Sequence, residues 1–419
     1  MTKPSALRII RDIDGFTPEL IAFRRDLHMH PEVAFEETRT TEKLVERLRE
    51  AGLAPRVLSC GTGLICDIVP TTASAAARRT VALRADIDAL PVHDLKDVPY
   101  RSTVDGKTHA CGHDVHTTAL LGAALTLARF REQNLLTRPV RLVFQPAEEV
   151  QPGGALVAMR DGLLGDGEVE SLHMLHCDPT KEVGRIGVLD GPITSGTDTF
   201  HFHAEGKGGH GARPHLTANV PAALIRMANA LLAIPSRFAP RDGVVISTPV
   251  IHTGHARNII DPRGELGGTM RTADPEAWER IGAIFAEHVE AAKLASGSGV
   301  TWTQMLHRMP PVVNSLGYRS REAIVDLFGE EAVVDTEQSQ GGEDGAWYLK
   351  GVSNVPGVPD MPGVPGNLVR LGVRSRGVDP ESAAHLHEGD FDVDEEAIGV
   401  GAAYLTRMAT ASMVDLTTD

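Results

Sequence analysis

The chain has little cysteine. Its four thiols, Cys60, Cys66, Cys111 and Cys177 in 419 residues, are too sparse for a disulfide framework. Long apolar runs are missing too. The opening stretch MTKPSALRIIRDIDGF holds no hydrophobic segment of signal-peptide length, and nothing further on approaches the roughly 18 to 20 residues of a membrane span. Positive charge is in deficit. Lys and Arg number 41 against 56 Asp and Glu, and the net charge of −15 invites neither nucleic acid nor an anionic membrane surface. The expectation is a cytoplasmic protein with free thiols whose partner is a small neutral or zwitterionic molecule. There is no repeat of solenoid period, no Walker A sequence, no H-E-x-x-H and no P-C-x-x-C. A formal G-x-G-x-x-G stands at Gly206, Gly208 and Gly211, but Pro214 follows closely and no acidic residue lies about 20 positions on, which argues against dinucleotide binding.

A chain of this length suggests two domains, or one large domain carrying an insertion. The first part alternates helices and strands. TPELIAFRRDLHMHP reads as a helix with Thr17 as N-cap and Pro18 at its first position, and ETRTTEKLVERLREAGL as a second, stopped by Gly52. Strands follow at GLICDIVP and TVALRADIDALP, then a helix at TTALLGAALTLARF, a strand at PVRLVFQP, a short helix at GGALVAMRDGLL and a strand at SLHMLHC. Such alternation predicts an open α/β sheet covered on both faces. Near residue 195 the texture changes. TDTFHFHAE alternates with the period of a half-solvated strand, VVISTPVIHTG and ELGGTMRT are further strands, and TANVPAALIRMANALLAI and DPEAWERIGAIFAEHVEAAKLA are helices. The organisation read from this is an α/β catalytic domain of residues 1–194 and 307–419 with an inserted α+β domain of residues 195–306. The second stretch runs through GAWYLK, the Pro/Gly-punctuated loop 355–366 and the strand NLVRLGV to a helix EEAIGVGAAYLTRMATASMV.

Four clusters carry chemistry. Cys111 and His113, two apart, cannot share a helix face, but an extended loop before a helix can aim both at one point, as a thiolate and an imidazole ligand. Taken alone, a Cys-x-His reads as well as a buried thiol beside a capping histidine. FQPAEE delivers Glu148 and Glu149 at the C-terminal end of a strand, where ligands of open α/β sheets gather. Adjacent residues in extended backbone point to opposite sides, so one carboxylate can bind metal while the other faces substrate. That division suits metal-assisted hydrolysis, in which a metal lowers the pKa of water and a free carboxylate takes the proton. LHMLHCDP holds His173 and His176 on opposite strand faces, so at most one reaches a shared site. AHLHEGDFDVDEEA places His385 and His387 before an acidic run. That run is no calcium loop, since Glu395 stands where Gly is needed and Gly401 where Glu is needed. Together the clusters suffice for one or two transition-metal ions.

In order and separation, LRADIDALP, HACGHDVHT, FQPAEE, LHCDP, GKGGHGARPH, GTMRT, EDGAWYL and LHEGDFDVDEEAI resemble the amidohydrolase branch of the aminoacylase and carboxypeptidase-type di-metal peptidases, which holds hippurate hydrolases and plant auxin-conjugate hydrolases. The resemblance covers nearly the whole chain. It implies that Cys111, His113, Glu149, His176 and His387 ligate two divalent ions (Zn, Mn, Co or Ni), with Cys111 bridging, and that Glu148 is the general base. It leaves His173 to the core. Asp88 and Asp114 are implied as supports behind the ligands, with Asp86 and His116 as further candidates. The insertion becomes a lid and dimerisation domain whose His210 reaches across a homodimer to polarise the scissile carbonyl, and Asn258 and Arg271 hold the substrate. Two departures stand out: Ile260-Asp261-Pro262 where the family reads Ile-Pro-Asp, and Gly345 where relatives have an aromatic. The implied activity is hydrolysis of N-acyl amino acids, with a dipeptidase or carboxypeptidase of the same family, or a catalytically silent binding homologue, as alternatives.

Overall fold

The computed structural model describes residues 4–71, 79–165, 167–353 and 355–411. Two main sheets hold these strands in chain order: β1 (Arg56–Val57), β2 (Leu64–Ile68), β3 (Thr80–Asp86), β4 (Val140–Gln145), β5 (Val169–Glu182), β6 (Ile186–Val188), β7 (Gly196–Gly206), β8 (Val244–Thr253), β9 (Arg263–Thr272), β10 (Val300–His307), β11 (Val333–Asp335) and β12 (Gly366–Arg374). The helices are α1 (Ala6–Asp14), α2 (Thr17–Met29), α3 (Thr38–Glu50), α4 (His113–Glu132), α5 (Gly154–Arg160), α6 (Val220–Leu232), α7 (Pro275–Ser296), α8 (Gly317–Phe328), α9 (Ala346–Lys350) and α10 (Glu396–Thr410). The chain divides into two compact units. One comprises Met1–Gly191, Asn314–Glu337 and Trp347–Asp419, the other Pro192–Val313 and Gln338–Ala346, where the sequence suggests 195–306.

The larger unit is built on an eight-stranded sheet in the order β1-β2-β4-β3-β5-β12-β6-β11. Its centre, β4-β3-β5-β12, is parallel, and every residue of β3 is buried, as expected of strands covered on both faces. Helix α4 is buried along almost its whole length and packs against α2, α10 and β3. Its Gly122 permits the close approach, because a Cβ there would lie 2.9 Å from Leu20 Cδ1 and 3.0 Å from Ala402 Cβ. The smaller unit is a four-stranded antiparallel sheet, β8-β9-β7-β10, with α6 and α7 packed on one face. Phe200, Phe202 and Ala204 of β7 point into that core. The strand's period of two therefore turns His201, His203 and Glu205 to the other face.

Several boundaries differ from the sequence reading. Helix α2 starts at Thr17 with Phe16 as its cap residue, and the Thr17 hydroxyl donates back to Ile13 O instead of capping. Helix α4 begins at His113 rather than Thr117, so the polar HDVH segment forms its first turn. Polar residues hide a helix start when each has a buried partner, as these do. The strands β6, β10 and β11 and the helices α1 and α8 are absent from the sequence reading, although α1 buries Ile9 and Ile13 and α8 buries Ala323, Ile324 and Leu327. The last residues of the expected C-terminal helix, 412–414, lie outside the described residues.

A buried charge network ties α2 to α4. Arg24 is 1% exposed, its Nε stands 2.7 Å from Asp114 Oδ2, its Nη2 donates to Asp392 Oδ1 at 3.2 Å, and it stacks on Tyr100. Burial disfavours the guanidinium charge, but Asp114 and Asp392 outweigh it and raise the pKa. Asp114 also meets His28 Nδ1 at 2.7 Å. Arg24→Met should therefore destabilise the protein by about 3–5 kcal/mol, because it strands Asp114 as an uncompensated buried charge. Urea unfolding at neutral pH measures this, and a loss below about 1 kcal/mol would show that Asp114 is neutralised without Arg24.

Candidate functional site

The donors meet at the C-terminal ends of the parallel strands. Strand β3 ends at Asp86 and continues to Asp88; β4 ends at Gln145 and turns through Pro146 and Ala147 to Glu148 and Glu149. The turn is sharp. Ala147 has a left-handed backbone, φ +54°, its N–H donates to Glu37 Oε1 at 2.8 Å, and its carbonyl accepts from Gly154 N at 3.0 Å. Cys111 and His113 flank Gly112, whose φ of +83° caps α4. Only glycine fits there, since a Cβ would stand 2.8 Å from Cys177 Sγ. His176 projects from β5. His387 follows β12 in a left-handed conformation, φ +70°, pinned by its N–H to Ala110 O at 2.8 Å.

These residues form overlapping groups whose donor atoms lie within 4.8 Å of one another: Cys111, His113 and His176; Cys111, Glu149 and His387; and His113, Glu148 and Glu149. Cys111 Sγ is 3.5 Å from His176 Nε2, and His387 Nε2 is 3.3 Å from Glu149 Oε1. Ligands about 2.3 Å (S) and 2.0–2.1 Å (N, O) from a tetrahedral zinc ion stand about 3.3 to 3.6 Å apart, so these separations fit a shared cation. His113 Nε2 and Glu149 Oε1 are buried with no hydrogen bond, although His113 Nδ1 is engaged by Asp88 and Glu149 Oε1 is ion-paired with His387. Two such atoms 3.8 Å apart are what a metal would satisfy as it displaces the imidazole's Nε2 proton.

The electrostatics agree. Burial, then Glu149, Glu148 and Asp86, push the Cys111 thiol well above its usual range, and a cation there would reverse that sign. Burial also disfavours a charged His113, but Asp86, Asp88 and Glu149 overcome it and raise its pKa to about 10. For Glu149, burial is outweighed by His387 and His113, and its pKa is lowered.

Asp88 supports two of these groups at once. Its backbone O and Oδ1 accept from His113 Nδ1 at 2.9 and 3.2 Å, and its Oδ2 accepts from Glu149 N at 3.0 Å. The ring is thereby fixed with Nε2 toward the cluster. Asp86 takes His116 Nδ1 at 2.6 Å and Arg84 Nη1 at 2.7 Å. His116 Nε2 accepts from Cys177 N at 2.8 Å, so both of its nitrogens are engaged. Asp114 faces Arg24 and His28. His173 is buried between Ser171 and Asn367 and held as neutral imidazole, its pKa lowered by burial to about 4.

His210, Asn258 and Arg271 belong to the smaller unit. His210 and Ile259 pair across a two-residue ladder, and Gly211 N donates to Asn258 O at 2.7 Å, so His210 and Asn258 are neighbours on exposed backbone. Asp261, one of the two departures, holds its own turn, accepting from Arg263 N at 3.1 Å and meeting His255 Nδ1 at 2.9 Å. The other, Gly345, is buried and donates to Glu343 Oε1 at 2.9 Å. Arg271 Nη1 donates to Thr197 Oγ1 at 2.6 Å and to Gln340 O at 3.2 Å.

Residues 82–411 match the family described as Peptidase family M20/M25/M40. The chain belongs to that family. Among M20 relatives, an N-acetylcysteine deacetylase of Bacillus subtilis is 33% identical over 94% of this chain and 97% of its own length. A protein of Rhodococcus jostii named putative glutamate–cysteine ligase 2-3 is 39% identical over 93% of this chain, which spans about half (46%) of that protein. Among solved structures, a dinuclear metal-binding M20 peptidase of Bacillus subtilis superposes with a TM-score of 0.73 at 30% identity, covering 95% of this chain and 98% of its own.

Glu37 and Arg24 are the residues at this site that the sequence does not announce. Glu37 is fully buried at the start of α3, and burial, then the charge of Asp88, raise its pKa from 4.5 to about 7. A raised carboxyl pKa means stability present below about pH 4.5 and lost as pH rises through about 7. Glu37→Gln keeps an acceptor for Ala147 N and removes the titration. Across that window the parent's unfolding free energy should fall relative to that of Glu37→Gln by about 2–3 kcal/mol, whereas parallel profiles in both proteins would assign the titration elsewhere. Asp88→Ala frees the His113 ring and should weaken Zn(II) binding by about 10–100-fold in equilibrium dialysis. Unchanged affinity would mean that the ring is oriented by packing alone.

Proposed function

We propose that this chain is a di-metal amidohydrolase that cleaves N-acyl amino acids or similar small linear amides. Hydrolysis of an amide by a metal-dependent enzyme is the activity of the family to which the chain belongs. The observation that carries the reading is the convergence of Cys111, His113, Glu149, His176 and His387, with buried atoms that make no hydrogen bond, around the carboxylate of Glu148. Those five side chains would hold two divalent transition-metal ions (Zn, Mn, Co or Ni), which would supply Lewis-acid polarisation of the amide carbonyl and lower the pKa of water.

The remaining chemistry belongs to the protein. Glu148, its side chain 9% exposed and its Oε2 4.0 Å from His113 Nε2, is the general base. It takes the proton from the attacking water and returns it to the leaving amine nitrogen. His210 Nδ1 accepts from Ala212 N at 3.1 Å, which leaves the proton of the neutral ring on Nε2. That N–H is the donor for the carbonyl oxygen as it gains negative charge, supplied from a second copy in a homodimer. The smaller unit, in this reading, is the lid and dimerisation domain. Arg271, with burial lowering its pKa but leaving it a cation at neutral pH, and Asn258 hold the substrate's carboxylate and carbonyl.

The test is hydrolysis by metal-stripped protein of N-acetyl and N-benzoyl amino acids beside dipeptides, with and without added Zn(II), Mn(II), Co(II) or Ni(II). Release of free amino acid from the N-acyl compounds only with metal is expected. Preference for dipeptides would shift the reading to a dipeptidase. Glu148→Ala should lower kcat by about 10²–10⁴-fold while the metal content measured by mass spectrometry stays the same; turnover that survives would assign the base elsewhere.

A further inference from the structure

A second cluster of metal-type donors stands on the smaller unit, at residues to which the reading above gives no role. His201 and His203 lie two apart on β7, so both rings rise from the same face of the sheet, opposite the side covered by α6 and α7. Glu265 on the neighbouring strand β9 is the register partner of His203, and His201 is opposite Gly267. The glycine matters because a Cβ at 267 would press to 3.1 Å from His201 Nδ1. With no side chain there, the His201 ring can lean toward Glu265.

The rings do lean that way. Their centroids are 4.4 Å apart, His201 Nε2 is 3.3 Å from Glu265 Oε2, and His203 Nδ1 is 3.9 Å from the same oxygen. Ligands about 2.0–2.1 Å from a tetrahedral ion stand about 3.3 Å apart, so the first distance meets the requirement and the second needs only a small turn of an exposed ring. An ordinary imidazole–carboxylate pair would align an N–H with its acceptor. Here His201 Nε2 is shut off from solvent and makes no hydrogen bond, with the carboxylate oxygen beside it. Beyond His203 and Glu265 the surface dips into an open depression of about 490 Å³, also lined by Glu205, His252 and Asp261, which leaves room for a water or an exogenous ligand at a fourth position.

We propose that His201, His203 and Glu265 form a further site for a borderline divalent ion, Zn(II) first among them, on the uncovered face of the four-stranded sheet. Two imidazoles and one carboxylate favour Zn(II), Ni(II), Co(II) or Cu(II) over Mg(II) or Ca(II). All three donors sit in one hydrogen-bonded ladder, so the site is rigid before the ion arrives and binding spends little on ordering the chain. It shares no residue with the cluster around Cys111, and its existence does not depend on the amidase reading.

The test is equilibrium dialysis of the full chain against micromolar free Zn(II), with bound zinc counted by mass spectrometry. His201→Ala and Glu265→Gln, each checked for folding by circular dichroism, are expected to carry one zinc ion per chain fewer than the parent, with N-acyl amino acid hydrolysis unchanged. Crystals of the unmodified protein soaked in Zn(II) should show an anomalous peak between the three side chains. Equal zinc content in parent and variants, or no peak there when the Cys111 cluster is loaded, would overturn the proposal. Zn(II) lost from the variants together with hydrolysis would overturn it as well, because the two sites would then be one.

Discussion

The arrangement depends on one electrostatic constraint. Asp86, Asp88, Glu148 and Glu149 converge with the Cys111 thiol in a largely buried space at the ends of β3 and β4, and like charges gathered away from water repel strongly. Arg84, His113, His116 and His387 offset part of that repulsion. The orphaned His113 Nε2 and Glu149 Oε1 mark the part left for a cation. The backbone is bent to serve this convergence. Ala147 and His387 both hold left-handed conformations that cost a non-glycine residue about 1–2 kcal/mol, and both flank the cluster.

Around that constraint the larger unit supplies rigidity in layers. The parallel strands set where the donors emerge, α4 brings Cys111 and His113 to the same edge, and Asp88 fixes the orientation of both a ring and a backbone amide. Behind α4, the Arg24–Asp114–His28 network holds the helix start from the opposite side. The same device, a charged group buried only with its partners, thus serves positioning at the site and packing behind it.

Much of this was legible in the sequence, and the limits have physical reasons. Motifs such as CGHDVH and FQPAEE are ordinary when taken singly and become legible through their order and separation along the chain. The alternation of elements through β5 was readable because the central strands are apolar throughout. The start of α4 was not, because a helix turn written HDVH has no apolar face, and its polar side chains are satisfied by Asp86, Asp88, Arg24 and His28, residues distant in sequence. Glu37 was invisible for a similar reason: within EVAFEETRT it looks like a solvated acid, and only the fold puts Ala147 against it. Asp114, a candidate for support or capping by sequence, meets Arg24 and His28, partners that only the fold supplies. The pairing of His201 with Glu265 needed strand register, which the period of two cannot supply.

The pinning of His387 to Ala110 joins the last donor to a loop laid down much earlier in the chain. The donor group of Cys111, Glu149 and His387 is therefore complete only when these two sequence-distant segments of the larger unit have docked. An ion that binds that finished arrangement and not the unfolded chain would hold the native state by mass action, so the two segments would stay docked the longer for its presence.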